Sequence, residues 1–166
     1  MTTQTMAEKE SFIAAFEREY QTTLKVLRAY PADQSELKPS EKMKNARELA
    51  WMLVLNQGVL VPVMAGDLKP GGLPGAPEKW DDVIPAFERE HKSTMSRLQD
   101  LDDRQLEKTL KMPVGPGKMS DMRIGDALWF FLNDTIHHRG QLTVYLRLAG
   151  GKLPSVYGPT ADERWF

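Results

Sequence analysis

Apolar side chains recur at helical spacing in four separate stretches of this chain, and that pattern constrains the fold more than any other feature. No stretch alternates apolar and polar side chains over more than a few residues. Residues three or four apart share one face of a helix, so each stretch predicts an amphipathic helix with one side to bury. The pattern predicts an all-α single domain with helices over residues 6–29, 45–65, 82–101 and 121–149.

Three of the predicted helices begin at residues that commonly start helices. Thr5 with Glu8, and Asn45 with Glu48, have the spacing of capping boxes, in which side chain and backbone hydrogen-bond reciprocally. Ser120 is a suitable N-cap for the fourth helix. These residues set the predicted starts of the first, second and fourth helices.

The second predicted helix leads into a segment rich in glycine and proline. Pro62 should bend that helix, because proline cannot donate a hydrogen bond to the carbonyl of Gly58. Residues 66–77 then hold four glycines and three prolines, which predicts an irregular connector. Residues 66–79 would span about 45 Å when extended, whereas a helix of about twenty residues is only ~30 Å long. The connector is therefore long enough to cross a whole helical bundle.

Composition excludes several classes of function. The 166 residues fit one domain, and 41% hydrophobic residues suffice for a core without cross-links. The formal net charge of −1 does not suit nucleic-acid binding. Cysteine is absent, which excludes disulfides, thiolate metal ligands and a cysteine nucleophile. The polar N-terminus and the interrupted apolar segment 49–65 predict neither a signal peptide nor a membrane span, and so a cytoplasmic protein.

Asp134 and His138 are the strongest candidates for chemistry. They lie one helical turn apart, and the helical period places His138 on the apolar face and Asp134 on its flank. His137 is turned largely away from that face. An aspartate and an imidazole at this spacing can share a divalent metal or act as an acid–base pair. They can equally form a hydrogen bond that only satisfies two polar groups near the core.

Other polar residues on the helical stripes have simpler interpretations. His91, on the stripe of the third helix, is interpreted as a structural histidine. Asn56 interrupts the second stripe and indicates a polar patch in the interior. The alternating charges of residues 88–92 predict a solvated helix face.

Three segments resemble one known family. The run 137–147, which contains His-His-Arg-Gly-Gln, resembles the last helix of the DinB/YfiT-like superfamily. The tail over residues 154–163 and the segment 46–51 resemble the C-terminus and the start of the second helix of the same family. The resemblance implies one DinB-like four-helix-bundle domain over residues 1–166. It also implies a long crossover between the second and third helices, which suits the connector.

The resemblance further implies a metal site. Many members hold a divalent metal with three histidines, one on the second helix and an H-x-x-x-H pair on the last. The matching positions in this chain are Met52, Asp134 and His138. Aspartate can bind zinc, nickel or manganese, whereas the methionine thioether suits soft ions and binds these metals poorly. The implied metal would therefore be weakly held, with water or Asn56 completing its ligands.

This diverged pocket leaves two functions open. If the resemblance extends to activity, the protein is a weak metal-dependent hydrolase or thiol-dependent transferase, with His138 as general base or ligand and Asp134 as its partner. Asn56, Arg139 and Tyr145 would then contact the small-molecule substrate. The alternative is a non-catalytic small-molecule-binding or dimerisation module that has lost the metal site.

Met52 separates these alternatives, because a metal enzyme of this type needs a third good ligand at that position. The resemblance also implies a homodimer. Trp51 and Trp129 are the large apolar residues expected at its interface.

Overall fold

Helices form most of the fold, as the four amphipathic stretches predict. A computed structural model describes residues 7–69 and 71–166 of the chain. In chain order the elements are α1 (Glu8–Ala29), α2 (Ala46–Gly58), α3 (Leu60–Ala65), α4 (Val83–Asp100), α5 (Asp103–Leu106), β1 (Thr109–Gly115), β2 (Lys118–Arg123) and α6 (Ile124–Leu148). The all-α prediction is confirmed. The bounds of α1, α4 and α6, and those of α2 and α3 taken together, lie within a few residues of the predicted ones.

A β-hairpin precedes the last helix, and the sequence pattern did not predict it. β1 pairs antiparallel with β2, and Gly117 in the turn has φ 66°. Only Leu110 and Met112 of β1 are buried and β2 is largely exposed, so the hairpin shows almost no apolar alternation. Ser120 lies within β2, so its prediction as a helix cap was wrong. The last helix begins at Ile124 instead.

The capping box that starts the second helix is confirmed. The Glu48 backbone N–H donates to Asn45 Oδ1 at 2.8 Å, and the Asn45 N–H donates to Glu48 Oε2 at 3.0 Å. The other expected box falls partly outside the described residues, since Thr5 is not among them. Helix α1 begins at Glu8 without a side-chain cap.

The predicted bend in the second helix is a break. Val59 separates α2 from α3, three residues before Pro62, and Gly66 ends α3 in the left-handed conformation at φ 71°. Proline leaves the backbone carbonyl one turn earlier without its helical donor, which accounts for a break at this position.

The connector after α3 crosses the bundle, because α2 and α4 run in the same direction. The Thr94 hydroxyl donates to the Gln57 carbonyl at 2.9 Å. Further along both segments, Gln105 Nε2 donates to the Met64 carbonyl at 3.3 Å. Parallel neighbours require the chain between them to return along the whole bundle. The expected long crossover is therefore confirmed.

Helices α1 and α2 each pack mainly against α4 and α6. Helix α1 runs antiparallel to α4, since Arg28 pairs with Glu88 at 2.8 Å near one end. Near the other end Lys9 donates to the Leu101 carbonyl at 2.7 Å. This arrangement puts α6 between α1 and α2, so its two flanks face different helices.

The bundle interior has two apolar clusters separated by a polar layer. One cluster contains the C-terminal half of α1, the first part of α2 and the end of α6. The other contains the start of α1, α3, the hairpin and the start of α6. In each long helix the buried polar side chains fall between the two clusters: Glu19, Thr23, Asn56, Gln57, His91, Thr94, Thr135 and Arg139.

The segment Ala46–Ala65 is long and apolar enough to cross a membrane by length and composition alone. This is weak evidence, because half of that window is buried inside the bundle and the core helix of a soluble protein passes the same test. The break at Val59 and the buried Asn56 also interrupt it.

Candidate functional site

The polar layer opens towards solvent on the flank of α6 that faces α2. His138 Nε2 lies 3.2 Å from Asp134 Oδ2, and Asn56 Nδ2 donates to the same oxygen at 2.7 Å. The side chains of His138 and Asp134 are 20% and 33% exposed, whereas Asn56 is buried. The structure thus brings together three of the predicted site residues.

Both ring nitrogens of His138 face oxygen acceptors. Nε2 lies at ion-pair distance, 3.2 Å, from Asp134 Oδ2. Nδ1 lies 3.0 Å from Gln141 Oε1, and because an amide oxygen only accepts, this hydrogen bond needs the proton on Nδ1. Gln141 Nε2 in turn lies 3.2 Å from Nε2 of His137, which is exposed, as predicted. Sequence analysis did not assign a role to Gln141, although its spacing of three from His138 places it on the same helix face.

Met52 lies at the level of His138 on the neighbouring helix. Helices α2 and α6 run antiparallel, because the Tyr145 hydroxyl donates to the Lys44 carbonyl at 2.8 Å at one end, while Asn56 meets Asp134 at the other. Met52, one turn before Asn56 on α2, is therefore opposite His138, one turn after Asp134 on α6. Met52 is partly exposed at that point. This geometry agrees with the position implied by the family resemblance.

The donor set does not fit a three-ligand divalent metal site. Within residues 7–69 and 71–166 there is no group of three or more His, Cys, Asp or Glu side chains that could hold a metal ion. Asn56 turns an N–H, not an oxygen, towards Asp134. Met52 would offer only a soft thioether. The arrangement is instead a carboxylate that accepts from an amide and lies 3.2 Å from an imidazole.

Arg139 lies on the opposite flank of α6 and is buried against α1. Its Nη1 donates to Glu19 Oε2 at 2.7 Å and to the Thr23 hydroxyl at 3.2 Å. Its Nη2 donates to the Tyr157 hydroxyl at 2.5 Å, and that hydroxyl donates to Glu19 Oε2 at 2.7 Å. Burial and the hydrogen bond to Glu19 raise the pKa of Tyr157. This closed network joins α6, α1 and the C-terminal tail, and it does not include Asp134 or His138.

Tyr145 lies two turns beyond His138 and is held by the backbone. Its hydroxyl donates to the Lys44 carbonyl just before α2, and burial raises its pKa. Two helical turns correspond to about 11 Å along the axis. Tyr145 therefore does not join the other three predicted site residues.

His91 faces α1 from α4, as expected of a structural histidine. Its Nε2 lies 2.8 Å from Glu17 Oε2, and its ring stacks on Tyr20 with centroids 3.5 Å apart. Burial lowers the pKa of His91. Its Nδ1 is buried without a hydrogen-bond partner among the described residues.

The sequence matches the DinB family over residues 1–164. The chain therefore belongs to the DinB family, as the resemblance of the run 137–147 indicated.

Three solved structures share the fold. A DinB-like protein from Bacillus cereus is 23% identical with a TM-score of 0.72, and the match covers 89% of this chain and 97% of that one. A DinB-like protein from Bacillus subtilis, YjoA, is 17% identical with a TM-score of 0.70, covering 94% and 99%. YfiT from Bacillus subtilis is 11% identical with a TM-score of 0.68, covering 92% and 93%. YfiT is described as a probable metal-dependent hydrolase with an unusual four-helix bundle topology.

A local sequence match adds one further relative. The uncharacterised protein YrdA of Bacillus subtilis is 49% identical over 41 residues. The match covers 25% of this chain and 24% of YrdA, so it spans about a quarter of that protein's length.

Proposed function

We propose that this DinB-family protein binds a small polar molecule at Asn56, Asp134 and His138 without a tightly held metal and without catalysis. The observation that carries the proposal is the double use of Asp134 Oδ2, which accepts from Asn56 Nδ2 and lies 3.2 Å from His138 Nε2. This carboxylate oxygen at the metal position thus already has two neighbours within the protein.

Asp134 also supplies the attachment point for a ligand. Its Oδ1 accepts no hydrogen bond from residues 7–69 or 71–166, and its side chain is 33% exposed. A carboxylate oxygen in this state accepts well from N–H and O–H groups. We therefore expect a ligand that carries such donors, such as a simple amide, alcohol or amine.

The engagement of His138 favours binding over catalysis. A general base needs a lone pair directed at the substrate proton. Here Nε2 faces Asp134 Oδ2 at 3.2 Å, and Nδ1 faces Gln141 Oε1 at 3.0 Å. A bound molecule would meet an imidazole whose two nitrogens both point at oxygens of the protein.

A spectroscopic titration tests ligand binding. Acetamide, glycerol and ethanolamine would be added to the ¹⁵N-labelled protein while the Asn56 side-chain amide signals are followed. We expect at least one probe to shift these signals, and Asp134→Asn to remove the shift because it replaces the accepting oxygen pair. The exposed His137→Gln variant is the matched control. If none of these probes changes the chemical shifts of the Asn56 side-chain amide, the proposal is contradicted.

A second candidate function, a metal-dependent hydrolase or thiol-dependent transferase, is favoured by the position of Met52 level with His138. Met52→His would supply a third donor on the adjacent helix, and we expect zinc or nickel affinity to rise on the order of a hundredfold. Asp134→Ala in that background should abolish the gain. Calorimetric titration measures both. Tight zinc binding by the unaltered protein, lost in Asp134→Ala, would replace the first proposal with this one.

We further propose that the protein is a cytoplasmic homodimer. The outward face of α6 carries the exposed side chains of Phe130, Val144 and Leu148, which favour a second copy as partner. The two tryptophans expected at the interface make contacts within the chain. Trp129 packs edge-on against Phe12 with ring centroids 5.1 Å apart, and the indole N–H of Trp51 donates to the Pro74 carbonyl. Sedimentation with Val144→Glu tests this face: a monomer in both unaltered and variant protein would contradict the proposal.

A further inference from the structure

A second concave site lies on the face of α2 that points away from α6. The groove has a volume of about 610 Å³ and is bounded by α2, α4 and the start of the crossing connector. This size is typical of small-molecule sites, which are mostly apolar with a few polar groups. The apolar side chains that line it include Trp51, Val54, Leu55, Pro62, Leu68 and Leu73.

Glu90 is the charged group most deeply set in this groove. Its side chain is 33% exposed, and its Oε2 would lie 3.0 Å from a Cβ added at Gly58. The carboxylate therefore rests on the α2 backbone, in space that only the absence of a side chain at Gly58 leaves free. The alternating charges of this segment predicted a solvated face, and Glu90 departs from that expectation because α2 presents glycine to it.

Arg89 is the one described cation within ion-pair distance of this carboxylate. Its Nε lies 3.8 Å from Oε1, which is longer than a hydrogen bond. Across residues 7–69 and 71–166, Glu90 accepts no hydrogen bond. The other charged groups at the rim are far more exposed: the side chains of Asp67, Lys69 and Arg89 are 67%, 83% and 67% accessible. Water screens those groups most and Glu90 least.

Trp51 gives the groove a fixed aromatic wall. Its indole N–H donates to the Pro74 carbonyl at 2.8 Å, which ties the ring to the connector. An aromatic ring beside a carboxylate is a combination that favours protonated amines, through ion pairing and cation–π attraction.

We propose that this groove binds an organic amine, with its ammonium group on Glu90 and its apolar body against Trp51, Leu55 and Leu73. The site is separate from the one under the proposed function, because Asn56 points from α2 towards α6 while Trp51 and Leu55 line the groove. The two sites can therefore succeed or fail independently.

Three probes of one size test the charge preference in the unaltered protein. They are 2-phenylethylamine, 2-phenylethanol and phenylacetate, titrated by calorimetry and by NMR on the Trp51 indole and Gly58 amide signals. We expect the amine to bind about tenfold more tightly than the alcohol, since a charge-assisted hydrogen bond replaces a neutral one. Phenylacetate should bind most weakly.

Variants of two glutamates on α4 test whether Glu90 causes the preference for the amine over the alcohol. Glu90→Gln should remove the tenfold difference between amine and alcohol, while Glu88→Gln should keep it, because Glu88 pairs with Arg28 outside the groove. Equal binding of amine and alcohol would overturn the proposal, and so would no binding of any probe at millimolar concentration. Tighter binding of phenylacetate would assign the groove to anions through Arg89 and Lys69. Loss of amine binding as dimers form at higher protein concentration would assign it to a second copy.

Discussion

The two flanks of α6 carry polar groups of similar chemistry, but those on one flank are buried and those on the other are partly exposed to solvent. Towards α1, Arg139 is 1% exposed and its charge meets Glu19, itself 4% exposed. Towards α2, Asp134 and His138 form a looser pair, 3.2 Å apart and partly open to solvent. Both clusters join α6 to a neighbouring helix, but the Asp134 side chain is 33% exposed and that of Glu19 only 5%.

This difference separates structural polar groups from candidate functional ones. On the α1 flank, Arg139, Glu19 and the Tyr157 hydroxyl hydrogen-bond to one another, and Arg139 and Glu19 are buried. On the α2 flank, a ligand can still reach Asp134. Residue type alone does not distinguish the flanks, since each contains a carboxylate and a cationic or protonatable partner.

Removal of the buried cation should have the largest effect. Arg139→Met would leave Glu19 buried without its partner, so we expect the free energy of unfolding to fall by about 3–5 kcal/mol. Urea unfolding followed by circular dichroism measures the loss. Arg147→Met is the matched control, because its ion pair with Asp162 is partly exposed and should contribute no more than about 1 kcal/mol. If Arg139→Met lowers the free energy of unfolding by less than Arg147→Met does, the contrast between the two flanks is not supported.

The open flank should tolerate the equivalent change better. Asp134→Ala deprives the buried Asn56 amide of its acceptor, and we expect a loss of about 1–2 kcal/mol. Asp134→Asn keeps an acceptor oxygen and should lose less. The same urea experiment compares both with Arg139→Met. An Asp134→Ala loss as large as that of Arg139→Met would break the comparison.

The tail should respond more weakly than either helix flank. Tyr157→Phe removes the hydroxyl that lies between Arg139 and Glu19 but keeps both charges, so the expected loss is about 1 kcal/mol. Amide hydrogen exchange over residues 152–163 should speed up at the same time. Tyr20→Phe serves as control, because the Tyr20 hydroxyl makes no hydrogen bond to any described residue. Unchanged exchange in the tail would show that Tyr157 does not fasten it.

The smallest effect expected is a dependence of stability on pH at His91. Burial lowers its pKa from the ordinary value of 6.5, so the unfolded state binds the proton more tightly. The contribution to stability is full above pH 6.5 and is lost as pH falls through the folded value. Glu17, whose pKa is lowered chiefly by a hydrogen bond from Gln21, acts in the same direction below pH 4.5.

Urea midpoints at pH 7.5, 6.5 and 5.5 measure this dependence. His91→Phe keeps an aromatic ring in the stack and should flatten the profile, whereas His137→Gln should not, because His137 is exposed. A profile as steep in His91→Phe as in the unaltered protein would show that another group titrates.

Contacts within one helix could be predicted from sequence, and contacts between distant segments could not. The pairing of Asp134 with His138 follows from a separation of four residues on a helix. Its third member, Asn56, could be placed only as a polar interruption of an apolar stripe. The link between Arg139 and Glu19 spans 120 residues, so no local pattern indicates it.

Two other features escaped prediction because their local signal is weak or points elsewhere. The hairpin buries only Leu110 and Met112 of its first strand, so its alternation is too short to recognise. Glu90 lies among charges typical of a solvated face, and its burial depends on Gly58 of another helix. The family resemblance supplied what periodicity could not, namely the long crossover between the second and third predicted helices. The position that it implies for a site stays a prediction.

The central position of α6 has a consequence for how the chain folds. Its polar links reach back 78 residues to Asn56 and 120 residues to Glu19, so each closes a long loop. Contacts of such separation form slowly. Of the described helices α6 is also the last to leave the ribosome. Until it docks, the sides of α1 and α2 that pack against α6 are uncovered, and apolar surface exposed in this way is prone to aggregation.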